Sequence, residues 1–243
     1  MGKSTVALNV ALALAEFGES VGIVDADAYG PDIPLMVNMK RTESAQYWSL
    51  GSTKEQSIEP MEAFGLKIVS TGFIVGESHP VAWASSLVDR MLWQFVHETS
   101  WGELDWLFID LPPGTADLQQ GIAQAVPLSG AVVVVTPQDV AHLDAKKVVT
   151  MYRQGGVRII GGIENMSGMS CPHCKEVIDV LPRVRDERSI WAMDVARLGV
   201  IPMDPAVAFG GDEGKPVMVS DPGSASAEAF RVVARAIASE LSA

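Results

Sequence analysis

Positive charge is scarce in this sequence. The 243 residues include 18 lysines and arginines against 30 aspartates and glutamates, which gives a formal net charge of −12 at pH 7. Nucleic acids and anionic membrane surfaces would repel such a chain. We therefore expect neither as a partner, although a phosphate group can still bind where backbone N–H groups and one lysine supply the positive charge.

Long apolar runs are also absent. No stretch approaches the ~18 uninterrupted apolar residues of a membrane-spanning helix, and the beginning shows no basic region followed by an apolar segment and a cleavage site. We therefore expect no membrane span and a cytoplasmic location. The length and a hydrophobic content of 48% predict a single domain over residues 1–243.

Cysteine is rare, and the two cysteines, Cys171 and Cys174, are three positions apart. This spacing favours a metal or redox pair over a structural disulfide. Two thiolates cannot complete a tetrahedral site, so a second pair must come from another chain, which a symmetric dimer supplies. An iron–sulfur cluster and a structural zinc ion both fit four thiolates. A thioredoxin-like pair is less favoured, and two unligated thiols are the remaining alternative.

Strand-like and helix-like segments alternate along the chain. The spacing of Val6, Val10, Ala13 and Phe17 predicts a helix over about residues 3–17. Five apolar segments predict buried strands: SVGIVDAD, GLKIVSTG, LDWLFIDLPPG, AVVVVTPQD and RIIGGIENMSG. This alternation predicts an α/β fold, with a doubly wound, mostly parallel sheet and helices on both faces.

The tetrapeptide Gly-Lys-Ser-Thr, residues 2–5, begins the first predicted helix. The N–H groups at a helix start are unpaired and the dipole there is positive, so this position favours an anion. Lys3 would add a charge at the β- and γ-phosphates of a nucleotide, and the hydroxyl of Ser4 or Thr5 would ligate Mg²⁺. The alternative is an ordinary helix cap formed by serine or threonine.

Polar residues follow three of the predicted strands, at the edge where such sheets bind ligands. They are Asp25 and Asp27, then Asp110, then Asn165. Asp110 is expected to orient magnesium, while one of the first two aspartates lies near the magnesium ion and the other orients the attacking water. The turn after Asp110 would bring the backbone N–H of Gly114 to a γ-phosphate. The alternative is a set of solvated turn aspartates.

Six segments occur in a recognisable order over nearly the whole chain: GKST, DADAYGPDIP, FIDLPPGTAD, VVTPQDVA, IENMSGMSCPHC and DEGKPV. In sequence and order they resemble the Mrp/ApbC-type iron–sulfur cluster carrier ATPases, a deviant Walker A group of P-loop proteins related to MinD and ParA. The resemblance implies Mg-ATP as ligand, ATP hydrolysis and a homodimer. It also implies a [4Fe–4S] cluster that is passed to apo iron–sulfur proteins.

The same resemblance implies roles for single residues. Gly2 and the three residues after it would hold phosphates and Mg²⁺, Asp27 would orient the hydrolytic water, and Asp110 would belong to the magnesium shell. Asn165 would read the adenine, with Pro202 and Asp204 beside the base or ribose.

The family's phosphate loop has the form G-K-G-G-V-G-K-S-T, and this sequence holds its last four residues. Met1 falls where the family has valine, so we expect the natural protein to be longer, with a first strand and the front half of the loop before Met1. Two other functions stay open. A MinD/ParA-like nucleotide switch would need no C-x₂-C motif, and a metal-binding scaffold would have lost ATP binding.

Overall fold

The structure is a computed structural model that describes residues 1–27, 30–39, 57–73, 85–112, 121, 126–171 and 173–242. Helices alternate with mostly parallel strands through this part of the chain. The prediction of an α/β fold with a mostly parallel sheet is confirmed.

The first sheet has four strands in the order β2–β3–β1–β4. β1 (Val21–Asp25) lies between β3 (Leu66–Ser70) and β4 (Trp106–Asp110) and is parallel to both. The short β2 (Met61–Ala63) pairs antiparallel with the outer side of β3. All five residues of β1 are buried, which explains its near-continuous apolar sequence, VGIVD.

The second sheet has three parallel strands in the order β5–β6–β9. They are β5 (Ala131–Val135), β6 (Ile159–Glu164) and β9 (Arg197–Val200). The sequence analysis does not predict β9, because four residues with an arginine at one end form too short an apolar segment. A separate antiparallel hairpin consists of β7 (Met169–Ser170) and β8 (Val177–Ile178).

Seven α-helices occur in the described part: α1 (Lys3–Glu16), α2 (Ile33–Met36), α3 (Ser85–His97), α4 (Asp139–Gln154), α5 (Pro205–Asp212), α6 (Val217–Ser220) and α7 (Ala225–Ser242). Helix α1 confirms the helix predicted at the phosphate motif, and it packs on α7, β1 and β4. None of these helices is long and apolar enough to cross a membrane.

Strand β5 shows that helices cover both faces of its sheet. Val132 and Val134 pack against the main core, which contains α1 and α7 residues. Val133 and Val135 belong instead to a second core, together with α4 residues such as Val149. Because successive side chains of a strand point to opposite faces, the two cores lie on opposite sides of β5.

The single sheet predicted from the sequence occurs as two sheets within the described residues, with β4 and β5 each at a sheet end. The first four residues of β4 are half-buried, and so are three of the five in β5, whereas the inner strands β1 and β6 are buried almost throughout. The carboxyl ends of β4 and β6 both reach the start of α1, through Asp110 and Asn165. The strands of the two sheets therefore run in the same direction, and their carboxyl ends meet at the start of α1.

Candidate functional site

Three polar side chains form a row across the carboxyl ends of the first sheet. Asp25 of β1 is in register with Ser70 of β3 on one side and with Asp110 of β4 on the other. Both aspartates are buried, with exposed fractions of 1% and 4%. The Ser70 hydroxyl donates a 2.8 Å hydrogen bond to Asp25 Oδ2, and the backbone N–H of Asp27 donates to Asp25 Oδ1 at 3.2 Å.

Burial raises the pKa values of the two aspartates of this row by different amounts. Burial raises the pKa of Asp25 to about 8, although the Ser70 hydrogen bond opposes the shift. Burial raises the pKa of Asp110 to about 6, and a hydrogen bond from Ser4 and the charge of Lys3 both oppose it. The carboxyl group of Asp25 therefore keeps its proton to a higher pH than the carboxyl group of Asp110. Asp110 Oδ2 is buried without a hydrogen-bond partner, which suits a cation ligand.

The start of α1 has the form of an anion site. Gly2 is the N-cap residue, in the left-handed conformation with φ 74° and ψ 39°, and no side chain caps the helix. The first helical hydrogen bond runs from the Val6 N–H to the Gly2 carbonyl, so the N–H groups of Lys3, Ser4 and Thr5 point outward from the first turn. The alternative in which Ser4 or Thr5 caps the helix is wrong, because both residues lie inside it.

Further carboxylates surround this helix start. Asp27 is half-buried, and its Oδ1 accepts a 3.0 Å hydrogen bond from the backbone N–H of Gly30. Asp32 is close enough to Asp27 and Lys3 for both charges to affect its pKa, which burial raises above the ordinary value. Asp27 and Asp32 also raise the pKa of Asp110. One lysine thus faces several carboxylates, and this excess of negative charge favours a bound cation.

Asn165 joins the second sheet to the same helix start. It directly follows β6, is 6% exposed, and donates from Nδ2 to the carbonyl oxygen of Met1 at 2.9 Å. A Cβ atom on Gly2 would lie 2.7 Å from Asn165 Nδ2, so a side chain at residue 2 would have to displace the Asn165 amide. The Ser167 N–H bonds the Ile201 carbonyl at 2.9 Å, which brings the segment around residue 202 to this edge of the sheet.

Three more residues were predicted to contact the nucleotide: Pro202, Asp204 and Gly114. Pro202 lies next to the paired segment just described and is half-buried. Both oxygens of Asp204 already have protein partners: Oδ1 accepts the Ala206 N–H at 2.9 Å and caps α5, and Oδ2 accepts the Ser226 hydroxyl at 2.6 Å. A place for Asp204 beside the ribose stays a prediction. Gly114 lies outside the described residues.

Cys171 and Cys174 lie in the turn of the β7–β8 hairpin. The hairpin is closed by hydrogen bonds from the Cys171 N–H to the Glu176 carbonyl at 2.8 Å and from the Lys175 N–H to the Cys171 carbonyl at 3.0 Å. Both thiols are free; Cys171 is half-exposed and Cys174 exposed. The turn therefore presents two sulfur atoms near the surface.

The hairpin turn favours the thiolate form of Cys171. Hydrogen bonds from the backbone N–H groups of Cys174 and His173 lower the pKa of the Cys171 thiol, and the thiolate is the form that binds metals. Within the described ranges, no three His, Cys, Asp or Glu side chains are grouped to hold a metal ion. The cysteine pair thus offers two sulfur ligands from one chain.

The chain is similar to proteins of one P-loop family over almost its whole length. A family model described as the NUBPL iron-transfer P-loop NTPase, in the ParA group, matches residues 1–238. The chain belongs to this family. The resemblance to iron–sulfur cluster carriers of the P-loop class, predicted from six segments of the sequence, is confirmed.

Two relatives of this chain are named iron–sulfur cluster carrier proteins. The one from Synechocystis is 40% identical over 243 residues, covering 100% of this chain and 68% of the relative. The one from Aquifex aeolicus is 42% identical over 240 residues, covering 98% and 64%. A nucleotide-binding protein from Archaeoglobus fulgidus, solved in complex with ADP, has a TM-score of 0.71 and 30% identity, over 88% of this chain and 82% of its own.

The structure brings most of the residues predicted to contact the nucleotide to the start of α1, whereas the two cysteines lie in the turn of the hairpin. Three polar residues close to these groups were not predicted: Ser70, which bonds Asp25, Asp32, which lies near Asp27 and Lys3, and Glu164, which precedes Asn165 and pairs with Arg183. Ser70 ends a predicted strand, so the same strand-end argument that selects Asp25 would have found it. Glu164 also ends a predicted strand, but its pairing with Arg183 and Arg197 depends on tertiary packing and has no signal in the sequence.

Proposed function

We propose that this chain is an ATP-dependent iron–sulfur cluster carrier, which holds a [4Fe–4S] cluster between two copies and delivers it to apo iron–sulfur proteins. The observation that carries the proposal is the hairpin with two free thiols, Cys171 and Cys174, in a chain that also has an uncapped, lysine-bearing helix start. The names of the two bacterial relatives support the same activity.

Mg-ATP is the proposed nucleotide, and the residues at the helix start fit it. Lys3 and the N–H groups of the first turn would hold the phosphates, and Ser4 and Asp110 would hold the Mg²⁺ ion, which would neutralise phosphate charge during hydrolysis. The unpartnered buried oxygen of Asp110 supports this assignment. Asp27 would orient the attacking water. The other proposed nucleotide contacts are Gly2, Thr5, Asp25, Gly114, Asn165, Pro202 and Asp204.

The cluster is the cargo in this proposal, and two copies of the chain would hold it as a homodimer. Each hairpin provides two thiolates, and a [4Fe–4S] cluster takes four. The N–H groups that stabilise the Cys171 thiolate support a ligand role. A zinc ion would accept the same four sulfurs, so zinc is the chemical competitor. Free thiols of this kind suit a reducing compartment such as the cytoplasm.

The last helix weighs against a membrane-associated switch of the MinD kind. Such a switch uses a helix whose basic face binds anionic lipid. In α7, Arg231 bonds Glu16 of α1 at 2.8 Å and Glu228 at 3.4 Å, while Arg235 bonds Glu228 at 3.2 Å. These arginines are neutralised by carboxylates of the same chain. We therefore expect no sedimentation with anionic vesicles, and co-sedimentation would favour the switch.

We further propose that one more parallel strand joins the two sheets between β4 and β5. The half-buried apolar residues along both strands support it, as does the common direction of the two sheets toward the start of α1. A strand that leads into Gly2 would add the front half of the phosphate loop and its N–H donors.

A version of the chain that is extended before Met1 tests whether this strand forms. Adding a family-type strand and loop before Met1 should tighten Mg-ADP binding and slow amide exchange in β4 and β5. An added segment of equal length with two prolines in the strand is the control, because proline cannot complete the hydrogen-bond ladder. Equal effects of the two additions would contradict the proposal.

Cluster transfer tests the function as a whole. The acceptor is an apoenzyme whose activity requires a [4Fe–4S] cluster, and its recovered activity reports transfer. We expect transfer by the wild type that is accelerated by Mg-ATP, transfer without acceleration by Asp27→Asn, and no transfer by Cys174→Ser. Transfer that is equally fast after Cys174→Ser would overturn the proposal. Unchanged transfer without nucleotide would instead favour a scaffold that has lost ATP binding.

A further inference from the structure

Arg183 forms a side-chain connection between the end of the cysteine hairpin and the second sheet. Asp179 directly follows β8 of the hairpin, and its Oδ1 accepts hydrogen bonds from Arg183 Nη2 at 2.7 Å and from Arg183 Nε at 3.0 Å. A third nitrogen of the same guanidinium, Nη1, lies 3.1 Å from Oε1 of Glu164, the last residue of β6. The fork of Arg183 thus bonds two carboxylates on different elements.

Glu164, the residue of this connection that lies on the sheet, is held by several polar contacts. Glu164 is 4% exposed. Its Oε1 also accepts a 2.5 Å hydrogen bond from the Ser167 hydroxyl, and its Oε2 lies 3.8 Å from Arg197 Nη2. A buried carboxylate with several charge-assisted or hydroxyl donors has little freedom to reorient. Glu164 therefore moves with β6 and with the residues on either side of it.

The residue after Glu164 belongs to the nucleotide site. Asn165 donates its side-chain hydrogen bond to Met1, at the start of α1. On the hairpin side, Arg183 also has a fixed backbone, because the next residue, Val184, donates its N–H to the Pro137 carbonyl just beyond β5. The backbone of residues 165–168 joins this sheet end to the hairpin, and two side-chain contacts, Glu164 to Arg183 and Arg183 to Asp179, form a second connection to its other strand.

We propose that Arg183 is a positioning residue that couples the cysteine hairpin to the nucleotide site through Glu164. The proposal rests on the proposed function, because it assumes a nucleotide at Asn165 and a metal centre at the cysteines. The guanidinium fork is essential to it. A lysine at this position would keep the charge but would act as a point charge and could not hold both carboxylates in one plane.

Metal affinity with and without nucleotide measures this coupling. The probe is Co²⁺, followed by its thiolate charge-transfer absorbance on the full chain under anaerobic conditions, in the absence and in the presence of Mg-ADP. The ratio of the two dissociation constants is the coupling factor. A merely structural role of Arg183 would change both constants alike and leave the ratio unmoved.

Three variants complete the design. Arg183→Gln removes the fork, and Arg183→Lys keeps the charge without the fork. Arg188→Gln is the matched control, because Arg188 pairs with Asp139 of α4 at 2.8 Å, is similarly exposed and does not bond the hairpin. Calorimetry with Mg-ADP on every variant reports nucleotide binding separately.

We expect a coupling factor of about fivefold or more in the wild type and in Arg188→Gln, the usual lower bound for coupled sites. Arg183→Gln should give a factor near one and Arg183→Lys an intermediate value. If Arg183→Gln keeps the wild-type coupling factor and still binds Mg-ADP, the coupling role of Arg183 is overturned. The proposed function is not affected by that result. A wild type that binds no Mg-ADP in the calorimeter contradicts the proposed function and removes the coupling with it.

Discussion

The side-chain amide of Asn165 donates a 2.9 Å hydrogen bond to the carbonyl oxygen of Met1, from a position 164 residues further along the chain. The bond fixes the carboxyl end of β6 against the first turn of α1. Gly2 lies directly under it, with φ +74°, and a Cβ atom there would lie 2.7 Å from Asn165 Nδ2. The geometry of the proposed phosphate site consequently depends on the absence of a side chain at residue 2.

Gly2→Ala is expected to weaken Mg-ADP binding as well as the fold. The left-handed conformation alone costs an L-residue about 1–2 kcal/mol, and the new methyl group must also displace the Asn165 amide. Calorimetry with Mg-ADP and urea unfolding would separate the two effects.

Gly18→Ala is the control for Gly2→Ala. Gly18 follows the other end of α1 with φ +96°, and a Cβ atom there meets nothing within 4 Å. This variant should lose stability through backbone strain but keep its nucleotide affinity. Equal nucleotide affinity in both variants would show that the contact between Gly2 and Asn165 has no part in the phosphate site.

Lys3→Met should weaken nucleotide binding while leaving the fold intact. A charged hydrogen bond contributes about 1.5–3 kcal/mol, so the dissociation constant for Mg-ADP should rise about 10- to 100-fold. Lys147→Met removes the same charge from an exposed position on α4, where Lys147 pairs with Asp144 at 3.1 Å. If Lys3→Met and Lys147→Met bind Mg-ADP with the same affinity within error, Lys3 is excluded from the proposed phosphate site.

Asp25 should make stability depend on pH. Its pKa is about 8 in the folded protein against an ordinary value of 3.8, so the folded state holds a proton that the unfolded state has released. The resulting stabilisation is complete below about pH 4 and is lost as pH rises to about 8, with a slope of up to about 1.4 kcal/mol per pH unit.

Asp25→Asn removes this titration but keeps the shape and the Ser70 contact. Relative to Asp25→Asn, the wild type should therefore lose free energy of unfolding between about pH 5 and pH 8, as urea titrations at several pH values would show. Asp144→Asn, on the exposed face of α4, should follow the wild type. A constant difference between wild type and Asp25→Asn over this range would mean that Asp25 is ionised throughout.

Particular residues show where sequence reasoning succeeds and where it ends. Strand β1 and helix α1 are predictable because burial imposes a continuous or periodic apolar pattern on VGIVD and on the residues after Lys3. Asp25 and Asp110 are predictable because parallel strands bring their carboxyl ends to one edge. Helix α4, by contrast, was not predicted, although its buried positions recur at helical spacing.

The contacts that tune the sites could not be predicted. The protonated state of Asp25 depends on the register that sets Ser70 and Asp110 on either side of it. The connection from Glu164 through Arg183 to Asp179 depends on the hairpin folding back toward β6. Asp179 and Arg183 are only four residues apart, but the contact from Arg183 to Glu164 and the register around Asp25 are created by tertiary packing and have no local pattern.

The central claim is that two chains hold one cluster through their cysteine pairs. Measuring the iron content together with the oligomeric state tests this claim most directly. The chain is reconstituted anaerobically with iron and sulfide, and iron, sulfide and mass are measured together across a sizing column, beside the double variant Cys171→Ala/Cys174→Ala. The account predicts one four-iron cluster for each pair of chains, eluting as a dimer, and no bound iron in the double variant. A cluster retained by a single chain, or full iron occupancy without the two thiols, would contradict it.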